Sequence, residues 1–340
     1  MHTRYENTRP RSRYAIRGRL LAMGAVALMA CESQSTAPDV NQVPEEQVIE
    51  FELTQEGALA ASTAHMIGHH KLPTVALRHR QDVAFSPNVA RLDNSPFDLT
   101  YWGGAVVTRA ISYTVYVNCP NKAAVCWGNG TLAPSDFLRD LNRSDFMNIV
   151  REYTGAEAKG NFIVSAMRTE ASFTNNRATL QQIFQILSDA VTTTGASGYT
   201  SIYHVFLPQG TEMCISPGNC YSPSDPASWA FCAFHGSVNF GPSKHVLFTV
   251  EPYQGVAGCS IPGQTPNGLI DATASTLAHE LFETITDPDL DGWSNGLFGY
   301  EISDLCSSFG SNQLLNGRWY FIQSEYSNKL HMCTNRVPAA

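Results

Sequence analysis

Residues 275–288, with the sequence STLAHELFETITDP, decide the fold of this chain and its candidate function. At about 100° per residue, the apolar side chains of a helix here fall on one face, while His279 and Glu283 lie nearly opposite. Side chains four residues apart stack on one face of a helix, so these two can share one metal ion. Glu280 lies beside them as a candidate general base. The sequence therefore predicts a helix that packs against a core and also presents a metal site.

Both ends of this helix carry local signals. Asp271 is predicted to cap the N-terminus, because its carboxylate can accept a hydrogen bond from a free backbone N–H. Asp287 is predicted to end the helix, because the residue before a proline avoids helical geometry.

The motif His-Glu-x-x-Glu varies the zinc-hydrolase motif His-Glu-x-x-His, with a carboxylate in place of the second histidine. One imidazole with several carboxylates is a harder donor set, which accepts manganese, iron or calcium as readily as zinc. Further along, Glu301 and Asp304 share a face if their segment is helical, and either can complete the ligand set. Two alternatives stay open: a helix face with solvated polar groups, and acids that favour the positive end of a helix.

A second metal signal follows the helix. Asp287, Asp289 and Asp291, followed by Gly292, have the alternate-acid pattern of calcium loops. Position twelve of such a loop is Phe298 rather than Glu, which excludes a standard EF-hand. Calcium at these aspartates and an ordinary turn rich in Asp and Gly both fit the pattern.

The N-terminus has the layout of an export signal. Six arginines precede an apolar run over residues 20–30, which is too short to span a bilayer as a mature helix. The run ends Leu28-Met29-Ala30-Cys31, which resembles the lipobox of bacterial lipoproteins, where the cysteine is acylated. We therefore predict a signal peptide over residues 1–30 and an exported, membrane-anchored lipoprotein held at Cys31, periplasmic or at the cell surface.

The predicted mature chain is acidic. Removing residues 1–30 takes away six of 22 basic residues and one of 30 acidic residues, which leaves 16 against 29 and a net charge of −13. Such a surface repels phosphate backbones, so a nucleic-acid partner is not expected. The expected partners are a membrane, through the lipid, and a peptide or cell-envelope polymer.

Apart from Cys31, the number of cysteines is even, which predicts disulfides in an exported chain. Pairing Cys119 with Cys126 and Cys214 with Cys220 would close short loops, and pairing Cys306 with Cys333 would pin the C-terminus. The sequence leaves the connectivity open, although it contains no Cys-x-x-Cys pair for a thiolate metal site. The eight candidates are Cys119, Cys126, Cys214, Cys220, Cys232, Cys259, Cys306 and Cys333.

Composition divides the rest of the chain in two. Residues 31–93 are expected to form a flexible tether and N-terminal extension, because their first part is rich in polar residues and proline. Residues 94–340 are long enough for one sizeable core. Alternating strand and helix patterns there predict an α/β fold, a single layered domain with a mixed β-sheet and a zincin-like metal-site helix. The predicted strands are 105–117, 162–167, 201–207, 246–250 and 319–323, and the predicted helices besides 275–288 are 135–153 and 180–190.

Four blocks carry a family resemblance: Tyr101-Trp102-Gly103-Gly104, Phe231-Cys232-Ala233-Phe234-His235-Gly236, the helix with Gly292-Trp293, and Glu301-Ile302-Ser303-Asp304-Leu305-Cys306. Together they resemble the phosphate-induced protein family, also called EXORDIUM-like proteins, of plant cell walls and exported bacterial relatives. Ser303 stands where that family has glycine. The resemblance spans about residues 101–333 and implies His235 as a second imidazole, which would favour zinc. The alternative is a structural histidine beside a disulfide.

Two hypotheses follow. The first is an exported, lipid-anchored, peptidase-like metal-dependent hydrolase, in which His279, Glu283 and either Asp304 or Glu301 hold the ion and Glu280 is the base. The second is a non-catalytic extracellular binding or signalling module of the cell envelope. The resembled family is linked to growth signalling and wall biology without a defined reaction, and a shared fold cannot supply chemistry.

Overall fold

A seven-stranded mixed β-sheet organises the computed structural model of this chain. Four neighbouring strands run parallel, namely β5 (Phe162–Thr169), β4 (Ala110–Val117), β7 (Ser201–Phe206) and β11 (His245–Glu251). Beyond β11 the sheet continues with antiparallel strands, namely β10 (Phe231–Phe240), β2 (Ala61–His70) and β1 (Gln47–Ile49). The predicted α/β fold with a mixed sheet is confirmed.

The structure describes residues 95–336, apart from 156–158, 217, 226–229, 262–264 and 297–298, together with the backbone of β1 and β2. All of these residues belong to one unit, Gln42–Ala340. The predicted signal peptide 1–30 and the lipidation residue Cys31 lie outside the described residues. No described helix combines the length and the hydropathy of a membrane span.

β1 and β2 lie within residues 31–93, where we expected a tether. β2 pairs with β10 and so covers backbone N–H and C=O groups that would otherwise form an open sheet edge. Such pairing uses backbone groups that every residue carries, so the composition of the segment gave little sign of it.

Helices cover both faces of the sheet. α4 (Leu180–Thr194) packs on one face and α5 (Leu269–Thr286) on the other. The strands alternate between these two cores: on β7, Ile202 and Phe206 join the core of α5, whereas Tyr203 joins that of α4. The other helices are α1 (Ala123–Cys126), α2 (Pro134–Asn142) and α3 (Arg151–Thr154), with 3₁₀ helices at Asp145–Val150, Gly198–Thr200 and Asp304–Cys306.

The remaining strands form four small sheets. A type I′ turn at Asn316 and Gly317, both with positive φ, joins the strands Gly310–Leu315 and Arg318–Gln323 into a hairpin. The sheets are β3 (Thr100–Tyr101) with β12 (Trp293–Ser294), β6 (Arg177–Thr179) with β8 (Glu212–Ser216) and β9 (Asn219–Tyr221), β13 (Gly310–Leu315) with β14 (Arg318–Gln323), and β15 (Glu325–Ser327) with β16 (Met332–Thr334).

Most predicted elements are present, with shifted ends, but one helix is divided, and several observed strands, β10 among them, lie outside the predicted set. The helix predicted over 135–153 is divided into α2, a 3₁₀ segment and α3, because Ser144 is extended and its hydroxyl donates to the Leu141 carbonyl. β10 was not predicted, since His235, Gly236 and Ser237 interrupt its apolar pattern. This strand carries the histidine that the family resemblance singled out.

α5 is anchored along one side by β14. Asp271 accepts a hydrogen bond from Phe321 N at 3.1 Å, and Ser275 Oγ accepts one from Gln323 N at 3.0 Å. The predicted N-cap at Asp271 is therefore wrong: the helix is capped by Gly268, at φ 65°, and Asp271 lies in the first turn, where it binds the neighbouring strand. The predicted end is confirmed, because the helix stops immediately before Asp287.

Four disulfides are formed, and they include the three pairs that the spacing suggested. The bridges are Cys119–Cys126, Cys214–Cys220, Cys232–Cys259 and Cys306–Cys333. Cys232 lies on β10, and Cys306 ends the 3₁₀ helix that follows α5 in the chain. Two bridges therefore fix segments that lie next to α5.

Loss of the Cys306–Cys333 bridge, with a sequence separation of 27, is expected to lower the free energy of unfolding by roughly 3 to 4 kcal/mol. Loss of Cys119–Cys126, with a separation of 7, should cost about 1 kcal/mol less, because a shorter loop restricts the unfolded chain less. Denaturant unfolding of the two double Cys→Ser variants measures both effects. A larger loss for the short loop would contradict this account.

Candidate metal centre

The polar side chains of α5 are buried. His279, Glu280 and Glu283 are exposed by 1%, 0% and 2%. The alternative of a solvated helix face is therefore wrong. The cause is tertiary: the sheet covers one side of α5, while β14 and the segment 301–306 cover others.

His279, Glu283 and Asp304 form the first donor group, with ligand atoms within 4.8 Å of one another. His279 Nε2 lies 2.9 Å from Glu283 Oε1 and 3.7 Å from Asp304 Oδ1. Two atoms bound at about 2 Å to one ion lie roughly 3 to 3.5 Å apart, so these separations suit a shared cation. The structure thus brings together three ligands that the sequence predicted.

His235, Glu280 and Glu283 form a second donor group of the same kind. His235 Nδ1 lies 3.4 Å from Glu283 Oε2 and 3.7 Å from Glu280 Oε2. Glu283 therefore presents one carboxylate oxygen to each histidine. Among the described residues, no group of mutually close ligand atoms contains both imidazoles.

Glu301 and Asp304 do not share a helical face, so that expectation is wrong. Only the short 3₁₀ helix Asp304–Cys306 forms, and Glu301 precedes it in a turn where its N–H donates to Asp304 Oδ2 at 3.3 Å. Asp304 faces His279, whereas Glu301 Oε1 lies 3.6 Å from His235 Nε2. Each of the two acids therefore lies next to a different histidine.

Gln323 and Ser303 hold the ring of His279. Gln323 Nε2 lies 2.9 Å from His279 Nδ1 and donates to the Ser303 carbonyl at 2.7 Å, while Ser303 Oγ lies 3.2 Å from the backbone carbonyl of His279. A metal bound at Nε2 leaves the proton on Nδ1. Metal binding at Nε2 would therefore require the Gln323 amide nitrogen to give up its contact with Nδ1, because two N–H groups cannot donate to each other.

Sequence reasoning missed two buried acids beside this cluster, Glu251 and Glu325. Both are 0% exposed. Glu251 Oε1 accepts from Thr249 Oγ1 at 2.8 Å, and Glu325 Oε2 accepts from Ser303 Oγ at 2.6 Å. One signal was available: Glu251 shares the strand face of Leu247, which lies in the core of α5, so a charged residue occupies an inward position of an apolar strand.

A row of polar side chains crosses the sheet beneath α5. The registers align Thr114 with His204, His204 with Thr249, and Thr249 with His235 on adjacent strands. Thr249 donates to Glu251, so His204 Nδ1, 3.0 Å from Thr249 Oγ1, is the donor in that contact. Burial lowers the pKa of His204 to about 3, which keeps this ring neutral at pH 7. The neutral ring orients the hydroxyl of Thr249 through its contact at Nδ1.

Burial controls the ionisation of the acids. It raises the pKa of Glu280 and of Glu301 well above the usual range, and the adjacent Glu283 raises both further. Burial also raises the pKa of Glu325 and brings that of Glu251 to about 8. Without a compensating cation, these carboxyl groups therefore retain protons at neutral pH.

The residues fit a divalent metal. Neither carboxylate oxygen of Glu280 or of Glu301 has a hydrogen-bond partner in the described part of the chain, although both side chains are fully buried. A buried carboxylate needs a partner, and a cation between several acids supplies one. A third possible group, Glu212 with Cys214 and Cys220, is discounted because its two sulfurs are joined in a disulfide.

The aspartates of the predicted calcium loop do not converge, and they form no ligand group within the described residues. Asp287 Oδ1 accepts from Gly292 N at 2.6 Å. Asp289 contacts His245 Nε2 at 3.0 Å and also accepts from the hydroxyl of Tyr199. These contacts stabilise the turn after α5, so the ordinary turn describes this segment better than a calcium loop does.

Comparisons of this chain with protein-family models, with curated proteins and with solved structures find no match.

In the presence of a chelator, the midpoint of urea denaturation is expected to fall from pH 5 to pH 8. Because the pKa values of the buried carboxyl groups are raised on folding, the folded state binds more protons than the unfolded state. These groups therefore stabilise the fold fully below about pH 4.5, and that stability is lost as the pH rises through their pKa values in the folded state. For Glu251 that folded value is about 8.

The variant Glu251→Gln should flatten this pH dependence, whereas the exposed Glu170→Gln should leave it unchanged. A midpoint that rises between pH 5 and pH 8 would show that the buried acids are not protonated in the folded state.

Proposed function

We propose that this chain is an exported, lipid-anchored, metal-dependent hydrolase of peptidase type. The convergence of His279, Glu283 and Asp304, with Glu280 adjacent on the same helix, carries the proposal. Imidazole and carboxylate are usual zinc ligands, which makes zinc the leading ion. The proposal includes the resemblance to EXORDIUM-like proteins and the comparison of α5 with the zincin helix.

Each residue has a distinct role in this proposal. His279 Nε2, Glu283 Oε1 and Asp304 Oδ1 hold the ion, which when bound polarises a carbonyl as a Lewis acid. Glu280 accepts a proton at Oε1, an oxygen without a hydrogen-bond partner in the described chain. Burial raises the pKa of Glu280, which would let this group take the proton of the attacking water and then give it to the leaving amine.

Substrate would approach from the side of Asp304. Its side chain is 5% exposed, against 1% for His279 and 3% for Glu283. The donor side chains are otherwise buried, and burial strengthens the electrostatic interactions among them. A peptide or a cell-envelope polymer is the proposed substrate.

One observation favours a second candidate function. The donor atoms are almost completely enclosed, and structural metal sites are closed in this way, whereas catalytic sites keep a position open to substrate. In that case the ion stabilises the fold of a non-catalytic binding or signalling module of the cell envelope.

Export and anchoring rest on other observations. Four disulfides are typical of an oxidising compartment outside the cytosol. The arginine-rich start, the apolar run and Cys31 occur in the order of a lipoprotein signal. Acylation at Cys31 would make the membrane a partner of the mature protein.

Elemental analysis and peptide cleavage by the purified full-length chain test the proposal. His279→Ala should lose the ion that this residue holds, and with it all hydrolysis. Glu280→Gln should keep that ion and lower the rate by 10²-fold or more, roughly the contribution of a general base. The control is Glu170→Gln, an exposed acid outside both donor groups, which should retain metal and activity.

Metal retained in the wild type without cleavage of any peptide in a broad panel would favour the binding module. A wild type that binds no divalent metal would refute the hydrolase and the structural ion, and would leave a module in which these residues only organise the fold.

A further inference from the structure

We infer that this buried cluster holds a second cation, bound by His235 Nδ1, Glu280 and Glu283, and that the carboxylate of Glu283 bridges the two ions. The inference rests on the proposed function, from which it takes the first ion at His279 and Asp304. It assigns a ligand role to His235 on the geometry of this chain.

The two oxygens of Glu283 point to different partners. Oε1 lies 2.9 Å from His279 Nε2, and Oε2 lies 3.4 Å from His235 Nδ1. Because the two imidazoles belong to separate donor groups within the described residues, one ion does not serve both. A carboxylate that offers one oxygen to each of two ions is the usual bridge in two-metal sites, where the ions lie roughly 3.5 to 4 Å apart.

The buried carboxylate of Glu280 marks the second position. Glu280 and Glu301 are wholly buried, form no ion pair with a described lysine or arginine, and have no hydrogen-bond partner there. One ion at His279 and Asp304 leaves both acids uncompensated. Glu280 Oε2, 3.7 Å from His235 Nδ1, is placed to bind a second ion, and its Oε1 remains for the proton.

Glu301 has the place of an orienting group rather than a ligand. It lies 3.6 Å from Nε2, the nitrogen of His235 on the opposite edge of the ring from the donor group. Metal-bound histidines usually donate their other N–H to a carboxylate, which fixes the ring and the tautomer. The proton of His235 is then on Nε2, and Nδ1 keeps its lone pair for the ion.

The fold fixes His235 on a rigid element. β10 pairs with β11 on one side and β2 on the other, and His235 lies opposite Thr249 in the first pairing. Three residues earlier, Cys232 joins this strand to Cys259. His235 therefore has little freedom to leave Glu283, as a ligand of fixed geometry requires.

Metal stoichiometry tests the inference without an activity assay. The full-length chain, its His235→Ala and His279→Ala variants, and the exposed control Glu170→Gln are loaded with Mn²⁺, dialysed and analysed for metal. We expect two ions per chain in the wild type and the control, and one in each histidine variant. The fold of each variant is checked by circular dichroism and by the absence of free thiols in the eight paired cysteines.

Electron paramagnetic resonance of the Mn²⁺-loaded wild type needs no variant. Two ions bridged by one carboxylate should give an exchange-coupled spectrum, and either histidine variant should give that of an isolated ion. One ion per wild-type chain with an uncoupled spectrum would overturn the second ion and leave the proposed function standing. A wild type that binds no ion would refute both the second ion and the proposed hydrolase function.

Discussion

Buried negative charge is the constraint on which the rest of this structure depends. Packing of α5 against the sheet removes water from a set of carboxylic acids, and each must then be protonated, hydrogen-bonded or paired with a cation. The nearby imidazoles cannot compensate them all. The acids concerned are Glu251, Glu280, Glu283, Glu301, Asp304 and Glu325. Apolar packing on both faces of the sheet supplies stability that offsets the free-energy cost of burying these acids.

The supporting structure is arranged so that these groups meet in a fixed geometry. β14 binds α5 through Asp271 and Ser275, and the same alignment places Gln323 against His279. Disulfides tie β10 and the segment after Asp304 to other parts of the chain. A charged cavity that was held less firmly would relax by admitting water, and its donor atoms would separate.

Several features were readable from local sequence patterns. Helical periodicity placed His279, Glu280 and Glu283 on one helix, and the proline after Asp287 marked its end, because both signals act between residues close in the chain. The pairing of His235 with Glu283 was not readable in this way. It joins a strand and a helix far apart in sequence, and only the family resemblance suggested that the histidine mattered.

The sequence by itself determined the alternation of strands and helices, the even set of cysteines, and the helix that carries His279, Glu280 and Glu283. Tertiary structure alone decided that Glu301 and Asp304 face different histidines, that Glu251 lies near His279, and that the polar side of α5 is buried. The physical reason is the separation along the chain over which each signal acts. Periodicity and capping depend on neighbours within a few residues, whereas burial and the convergence of donor atoms depend on segments that only the folded chain brings together.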